Sequence, residues 1–288
     1  MEPYRPSSHT PKRGLLPAFG LPLVTGGVTA VALSSLSPWL YLPGGFAALL
    51  GLATAAGAML GVRWGKVRGP KAAFGVAAIA GLISYGVFHG THFFRFRQAA
   101  LAEIAQQLDP AEAHRKAEFL GEFLRENVGA AGFWGYLRLV NQEEVAGILP
   151  GRPPFRLFWP AWAVWTWEAI AVTVVAGLGG YSQAVGLFSA ETQTWFGRPR
   201  TVGYTADSRV LELLTDPAYF PTLRQALGSE RPAAATYWRV DLWQTPGAKP
   251  QAYCLEVVRR QTYPCQPGTW QTVFCAVLTP QEAAALID

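Results

Sequence analysis

Long stretches without a charged residue alternate with polar segments along the first two thirds of the chain. Residues 15–36, 46–62 and 72–94 contain no Lys, Arg, Asp or Glu, and residues 159–181 contain only Glu168. An apolar helix of about 20 residues is long enough to cross a lipid bilayer. The pattern therefore predicts four transmembrane helices in these stretches.

The polar segments around these stretches predict further structure. Residues 1–13 are proline-rich and polar, which predicts a disordered basic tail. Residues 95–158 predict a helical insert, because Asp109-Pro110 is typical of a helix start and a helical apolar period follows it. The last hundred residues predict an α+β domain, because three runs rich in Val, Tyr, Trp and Thr favour an antiparallel sheet. These strand-like runs are 235–244, 251–262 and 269–278.

These patterns together predict an α-helical membrane protein. It has about four transmembrane helices, a helical polar insert and a C-terminal soluble α+β domain that contains a small antiparallel sheet. The predicted segments are a tail at 1–13, three transmembrane helices within 14–94, the insert at 95–158, a fourth transmembrane helix at 159–182 and the soluble domain at 183–288.

Basic residues predict the orientation of this membrane protein. The turn between the second and third apolar stretches carries four Lys or Arg and no acid, and the tail carries three more against Glu2 alone. Basic residues beside membrane helices collect on the cytoplasmic side and contact anionic headgroups. We therefore expect the N-terminus and the C-terminal domain in the cytoplasm and the insert outside, although arginines also flank the insert. The topogenic residues of the turn are Arg63, Lys66, Arg68 and Lys71.

Composition and charge indicate which partners the protein has and in which cellular compartment its cysteines lie. The 288 residues are 50% hydrophobic and only 15% charged, with a formal net charge of +5. Because the excess of basic residues lies in the tail and the turn, we expect a lipid bilayer as partner and no nucleic acid. Cys254, Cys265 and Cys275 are odd in number and lack CxxC spacing. This argues against a disulfide framework and a zinc site and favours a reducing compartment.

Small residues four positions apart on the second and third apolar stretches predict close helix packing. This spacing lets helix backbones approach one another in a membrane. Packing within the chain and packing on a partner subunit or a second copy both fit the pattern. The predicted packing glycines are Gly57, Gly61, Gly81, Gly86 and Gly90.

His89, His92 and Glu168 are the candidate residues for chemistry. The two histidines are three positions apart and share a helix face, and a carboxyl group inside an apolar stretch is costly and seldom without a role. Imidazole and carboxylate groups bind transition metals and relay protons, so these three residues could hold a metal ion. The sequence otherwise predicts no cofactor. The alternative is that the histidines hydrogen-bond locally at the headgroup level and Glu168 pairs with a polar neighbour.

The C-terminal strands mix aromatic residues with arginines, a combination that is common at protein-binding hot spots. The alternative is that the aromatic residues form the core of the domain and the arginines its solvated reverse. The residues concerned are Tyr237, Trp238, Trp243, Tyr253, Trp270, Arg239, Arg259 and Arg260.

Three fragments of the first two thirds of the chain form a pattern when taken together. They are Tyr4-Arg-Pro-Ser-Ser with Pro11-Lys-Arg-Gly14, then Gly65-Lys-Val-Arg-Gly-Pro70, and then the histidine-bearing aromatic end of the third apolar stretch. The pattern resembles a loose group of uncharacterised bacterial multi-spanning inner-membrane proteins. The resemblance implies a bacterial inner-membrane location, and it implies no activity.

The function that the sequence favours is not enzymatic. Helix-packing faces, two polar modules and the lack of a catalytic motif in the sequence favour an integral membrane scaffold, assembly factor or accessory subunit. We expect it to bind a protein partner or a second copy of itself through its polar domains. Two alternatives from other classes stay open: a membrane metal-dependent or redox enzyme that uses His89, His92 and Glu168, and a small transporter.

Overall fold

A computed structural model describes residues 2–4, 10–36, 44–107, 115–141, 161–246, 252–263 and 266–287 of the chain. The chain divides into two compact units. One unit lies within residues 9–184, and the other combines residues 1–8 with 185–288. Each unit is described separately below.

The first unit contains four long apolar helices. They are α1 (Leu15–Leu36), α2 (Gly45–Gly65), α3 (Pro70–Gln107) and α6 (Ala161–Ala184). All four are long and apolar enough to cross a membrane, which confirms that prediction at the level of length and composition. We call these four helices the bundle.

The bundle has a defined order of contacts. α1 packs against α2 and α3, and α6 packs against the same two helices, so α1 and α6 occupy opposite corners. The helices approach closely at glycine: a Cβ atom on Gly61 would lie 2.9 Å from the Cα of Ala18, and one on Gly81 would lie 2.9 Å from the Cβ of Ala176. Gly57 faces α1 in the same way, at Thr25. Three predicted packing glycines therefore lie at helix contacts within the chain.

The other two predicted packing glycines are placed differently. A Cβ atom on Gly86 or on Gly90 would meet no atom within 4 Å. Both residues therefore lie on a part of α3 that the described remainder of the chain leaves open.

Helix α3 extends further than the sequence pattern indicates. It continues to Gln107, whereas the apolar stretch ends near residue 94. Its 38 residues correspond to about 57 Å at 1.5 Å per residue, against about 30 Å for the apolar core of a bilayer. The extension is helical because residues 98–107 are mostly good helix formers and because their apolar side chains are covered by two further helices.

Together with the extension of α3, those two helices form the described part of the polar insert. They are α4 (Lys116–Val128) and α5 (Gly132–Asn141). The buried residues of this hairpin pack against the extension of α3 at Phe96, Ala100, Leu101 and Ile104. Gly129 and Gly132 join the helices with φ angles of 72° and 62°, a region that glycine adopts at little cost. The predicted helix start at Asp109-Pro110 lies outside the described residues.

The second unit contains a five-stranded antiparallel sheet, which confirms the predicted sheet. Its strand order is β1-β7-β6-β5-β4. The strands are β1 (Glu2–Pro3), β4 (Arg200–Thr205), β5 (Thr236–Gln244), β6 (Tyr253–Tyr263) and β7 (Gln266–Leu278). The short strands β2 (Phe188–Ser189) and β3 (Thr194–Trp195) form a separate hairpin.

Three short helices cover one face of this sheet. They are α7 (Val210–Leu213), α8 (Phe220–Ala226) and α9 (Pro280–Ile287). Fully buried side chains such as Phe220, Leu223 and Leu286 pack on Val240 and Leu255 of the central strands. Alternate strand residues point to opposite faces, so the intervening residues of β5 and β6 form the other face of the sheet.

Residues 2–4 belong to this sheet rather than to a disordered tail. Glu2 and Pro3 pair with Val277 and Ala276 of β7, and the Tyr4 N–H donates to the carbonyl of Cys275 over 3.0 Å. The pairing satisfies backbone N–H and C=O groups of β7 that would otherwise be unpaired at the edge of the sheet. Sequence composition does not reveal this pairing.

Candidate functional site

Glu168 lies buried in the bundle, with only 6% of its surface exposed. One carboxyl oxygen accepts the backbone N–H of Gly44 over 2.8 Å, and the other accepts the Tyr85 hydroxyl over 3.0 Å. A buried polar group is tolerated when its hydrogen bonds are satisfied. Glu168 of α6 therefore joins the start of α2 to the middle of α3.

The start of α2 suits an acidic partner. Gly44 precedes the helix in a left-handed conformation with a φ angle of 74°, a region that glycine adopts at little cost. The N-terminus of a helix also carries a partial positive charge that favours an acidic side chain. Glu168 thus supplies from another helix the cap that the sequence of α2 lacks.

The space beside Glu168 is closed by apolar side chains. It is lined by Phe46, Leu50 and Phe88 among others and leaves no room for a water molecule. The rings of Phe46 and Phe88 meet edge to face at 6.2 Å between centroids. Among the residues that the structure describes, the carboxyl group is therefore held in a packed environment.

The two predicted histidines lie near this group but do not complete a ligand set with it. The His89 ring lies 4.6 Å from the Tyr85 ring and 5.5 Å from that of Trp165, and the His92 ring lies 4.6 Å from that of Phe88. In the described ranges, no three His, Cys, Asp or Glu side chains are grouped so that they could hold a metal ion. His89 Nε2 is buried and has no hydrogen-bond partner among those residues.

Five Ser and Thr hydroxyl groups inside the bundle turn back to their own helices. Each donates to a backbone carbonyl three or four residues earlier at 2.7–3.0 Å, so each is satisfied without water. Such back-bonding meets the need of a polar group in an apolar environment. The hydroxyl residues are Thr25, Ser34, Thr54, Ser84 and Thr91.

Arg95 is a residue that the sequence reasoning did not assign. It lies on α3 and donates to the Ser34 carbonyl over 2.5 Å and to the Ser35 hydroxyl over 2.6 Å. Both acceptors belong to the last turn of α1, where unpaired carbonyls and the helix dipole favour a cation. The position of Arg95 directly after the uncharged stretch 72–94 is the sequence feature from which this role could have been predicted.

The predicted topogenic residues lie together at one end of the bundle. Arg63, Lys66 and Lys71 are exposed and Arg68 is partly buried, all in or beside the turn that joins α2 to α3. The backbone of Gly65 in this turn contacts that of Gly14, which follows Lys12 and Arg13. The basic residues before α1 therefore share an end of the bundle with this turn. This group of residues is Lys12, Arg13, Arg63, Lys66, Arg68 and Lys71.

The second candidate site is the face of the sheet that the helices do not cover, which we call the outer face. It is formed by alternate residues of β4, β5 and β6, in register with one another: Tyr204, Tyr237, Arg239, Asp241, Glu256 and Arg260. The aromatic rings of Tyr204 and Tyr237 meet at 6.1 Å. Tyr237, Arg239 and Arg260 were predicted as recognition residues, and they share this face.

Hydrogen bonds hold the charged groups of the outer face in place. Asp241, with 1% of its side chain exposed, accepts from Arg239 Nε over 2.7 Å and from the Thr201 hydroxyl over 2.8 Å. Arg260 Nη1 donates to the Tyr237 hydroxyl over 3.0 Å. Because the long arginine side chains are fixed, less conformational entropy is lost when a partner contacts them.

A similar bond network continues towards the other edge of the sheet. The carboxyl group of Glu256 accepts from Trp243 Nε1 over 2.8 Å and from the Thr272 hydroxyl over 2.7 Å. The remaining predicted aromatic residues are placed differently, since Trp238 and Tyr253 belong to the core beneath the helices. The side chain of Trp270 lies outside the described residues. Trp238 and Tyr253 therefore fit the core alternative, and the recognition role of the residues on the outer face stays a prediction.

Comparison of the chain with protein-family models, with curated proteins and with solved structures finds no match.

Proposed function

We propose that this protein is an integral membrane scaffold or accessory subunit whose bundle anchors it in a bilayer and whose outer face binds another protein. The observation that carries the proposal is the outer face, where the partly exposed side chains of Tyr204, Arg239 and Arg260 lie on a rigid sheet, and the buried Tyr237 and Asp241 hold the two arginines in fixed positions. Tyr, Trp and Arg dominate protein-binding hot spots. A surface on which they are ordered before binding favours affinity for a protein partner.

The surface of the bundle supports its role as the anchor. Large apolar side chains point outward on all four helices, for example Leu16 at 77% exposure, Leu52 at 61% and Ile79 at 56%. A soluble protein seldom exposes apolar patches of this extent. A bilayer would cover them, and the back-bonded hydroxyl groups and closed packing at Glu168 favour a packed anchor over a transport path.

The basic end of the bundle supports the expected orientation. Six Lys and Arg residues lie at the end where the chain enters α1 and turns from α2 into α3. The positive-inside rule places that end in the cytoplasm. In the bacterial inner membrane that the resemblance implies, the C-terminal domain and its outer face would then meet cytoplasmic partners, while the α4–α5 hairpin would lie on the other side.

Site-specific photo-crosslinking in cells tests the partner. A photoreactive amino acid is placed at Arg239 on the outer face and, as matched control, at the exposed Gln225 of α8. We expect one stoichiometric adduct from position 239 and none from position 225, and mass spectrometry then identifies the partner. A protein that gives no adduct from position 239 and purifies alone in mild detergent would sink the proposal.

Thiol labelling tests the orientation. Single cysteines replace the exposed Glu122 of α4 and Gln225 of α8 in a chain whose three native cysteines are serines. A membrane-impermeant maleimide should label position 122 in intact spheroplasts and position 225 only after permeabilisation. The reversed pattern would overturn the proposed orientation, and equal labelling of both positions in intact spheroplasts would overturn the membrane insertion.

A membrane metal-dependent or redox enzyme is the second candidate, and one observation favours it. The buried Nε2 of His89, which has no partner among the described residues, lies beside the pair formed by Tyr85 and Glu168. Elemental analysis of the purified protein tests this candidate. A stoichiometric transition metal that is lost in the variants His89→Ala and Glu168→Gln would favour the enzyme, and its absence from the unaltered protein would count against it.

A further inference from the structure

Two of the three cysteines meet on neighbouring strands of the sheet. Cys254 of β6 pairs with Val277, and Cys275 of β7 pairs with Glu256, so the two cysteines are diagonal neighbours on the same face. Their sulfur atoms lie 3.1 Å apart. Cys254 is fully buried, whereas Cys275 is partly exposed. The spacing of the cysteines in the sequence shows no such relation, because the strand register alone creates it.

We propose that Cys254 and Cys275 form a reversible disulfide, a modification site that reacts with small-molecule disulfides of the glutathione type. Closing the bond brings the sulfur atoms from 3.1 Å to the roughly 2.05 Å of a disulfide. This is a shift of about 1 Å in the distance between the two sulfur atoms. The inference does not depend on the identity of any protein partner.

The exchange with oxidised glutathione takes two steps. The Cys275 thiolate attacks one sulfur of glutathione disulfide, whose S–S bond breaks, and one glutathione thiolate leaves. The Cys254 thiol then gives up its proton, and its sulfur attacks that of Cys275, so the mixed disulfide breaks and the second glutathione leaves. The two cysteines lose two electrons and two protons, and the glutathione disulfide becomes two glutathione thiols.

The environment of each thiol decides this order. The hydrogen bond with Cys275 and burial both raise the pKa of the Cys254 thiol, so Cys254 is a poor first nucleophile. Cys275 is the sulfur that an outside reagent can reach. Once Cys275 carries glutathione it can no longer act as the thiol partner of Cys254, and the largest cause of the raised Cys254 pKa is removed. The first step therefore prepares the second.

The N-terminal strand β1 lies beside this thiol pair, next to β7 at the edge of the sheet. The Tyr4 side chain packs in one apolar cluster with Cys254, Cys275 and Phe196, and its hydroxyl accepts the Phe188 N–H over 3.2 Å. Its backbone N–H is bound to Cys275 itself. Because Tyr4 packs against Cys275, we expect a glutathione group on Cys275 to displace residues 2–4 during the exchange, and we expect them to return when the compact disulfide has formed.

The reaction is followed on the full-length protein in detergent with Cys265 changed to serine, so that this pair alone carries thiols. The reduced protein is treated with excess oxidised glutathione, quenched with acid and alkylated, and peptides are assigned by mass spectrometry. We expect a Cys254–Cys275 link and only a transient glutathione adduct on Cys275. The variant Cys254→Ser should stop at the stable adduct, and the variant Cys275→Ser should leave Cys254 unreacted.

Two results would overturn the proposal. One is that both thiols stay free in the folded protein while the same sample, unfolded in denaturant, is oxidised. The other is that the disulfide joins two molecules rather than two strands of one. The variant Tyr4→Ala provides a separate readout, because uncovering Cys275 should speed the formation of the adduct several-fold. An unchanged rate would refute the covering role of the N-terminal strand.

Discussion

The Glu168 side chain offers the sharpest test of how the bundle is held together. Replacing it with alanine removes the acceptor of two buried donors, the Gly44 N–H and the Tyr85 hydroxyl. Hydrogen bonds between membrane helices contribute on average about 0.6 kcal/mol and at most about 1.7 kcal/mol. The loss of two such bonds therefore predicts that Glu168→Ala lowers the free energy of unfolding by about 1–3 kcal/mol.

Two milder variants separate the contributions of the two Glu168 hydrogen bonds to the free energy of unfolding. Tyr85→Phe removes one of the two hydrogen bonds and should cost about 0.6–1.7 kcal/mol. Glu168→Gln should cost less than about 1 kcal/mol, because an amide oxygen still accepts the Gly44 N–H and the amide N–H₂ can donate to the Tyr85 oxygen. The expected order of stability is wild type, Glu168→Gln, Tyr85→Phe and Glu168→Ala.

The assay is reversible unfolding in mixed micelles of increasing SDS content, followed by tryptophan fluorescence. Thr166→Val is the matched control on the same helix, because the Thr166 hydroxyl is exposed and donates only to the carbonyl of Trp162 within α6. The control should stay within about 0.5 kcal/mol of wild type. The reasoning is refuted if Glu168→Ala is as stable as the control, or if Glu168→Gln is as damaging as Glu168→Ala. The second result would show that the bundle requires the acid itself.

Three further predictions test packing, capping and titration. Gly61→Val should lower the free energy of unfolding by about 1–3 kcal/mol, because the valine side chain would meet the backbone of α1. Gly86→Ala is the control, because a Cβ atom there meets no atom within 4 Å. It should be neutral or slightly stabilising in the same assay. Arg95→Ala should cost about 0.5–2 kcal/mol by uncapping α1, and Arg95→Lys should recover part of the loss. The raised pKa of the reduced Cys254 thiol means that the folded state keeps a proton that the unfolded state loses above about pH 8.5. The free energy of unfolding should therefore fall faster with rising pH in the reduced protein than in Cys254→Ala, measured by denaturant titration; parallel pH profiles would contradict this.

Much of the helix and strand content could be predicted from local sequence. The four uncharged stretches correspond to α1, α2, α3 and α6, because helices in an apolar environment need only length and the absence of charge. The β-rich runs near the C-terminus correspond to β5, β6 and β7, because their residues suit a pleated sheet. The continuation of α3 to Gln107 could not be predicted from hydropathy, since it depends on cover from α4 and α5.

The candidate sites could be predicted only in part. Glu168 is conspicuous because a carboxyl group in an apolar stretch is costly. Its partners are not the predicted histidines, however, but Tyr85 and the backbone of Gly44, which lies 124 residues away. Likewise, the sequence places arginines and aromatic residues on the C-terminal strands. Which of them share a face depends on where each strand begins its alternation, and a shift of one residue would exchange the two faces.

The sequence by itself determined that the first unit consists of long apolar helices and that the last hundred residues form a small sheet, because these properties depend on length, charge and local preference. The tertiary structure decided the contacts between distant residues: the cap that Glu168 places on α2, the pairing of residues 2–4 with β7, and the approach of Cys254 to Cys275. Such contacts depend on which segments pack side by side, and strand register and helix order are properties of the whole folded chain.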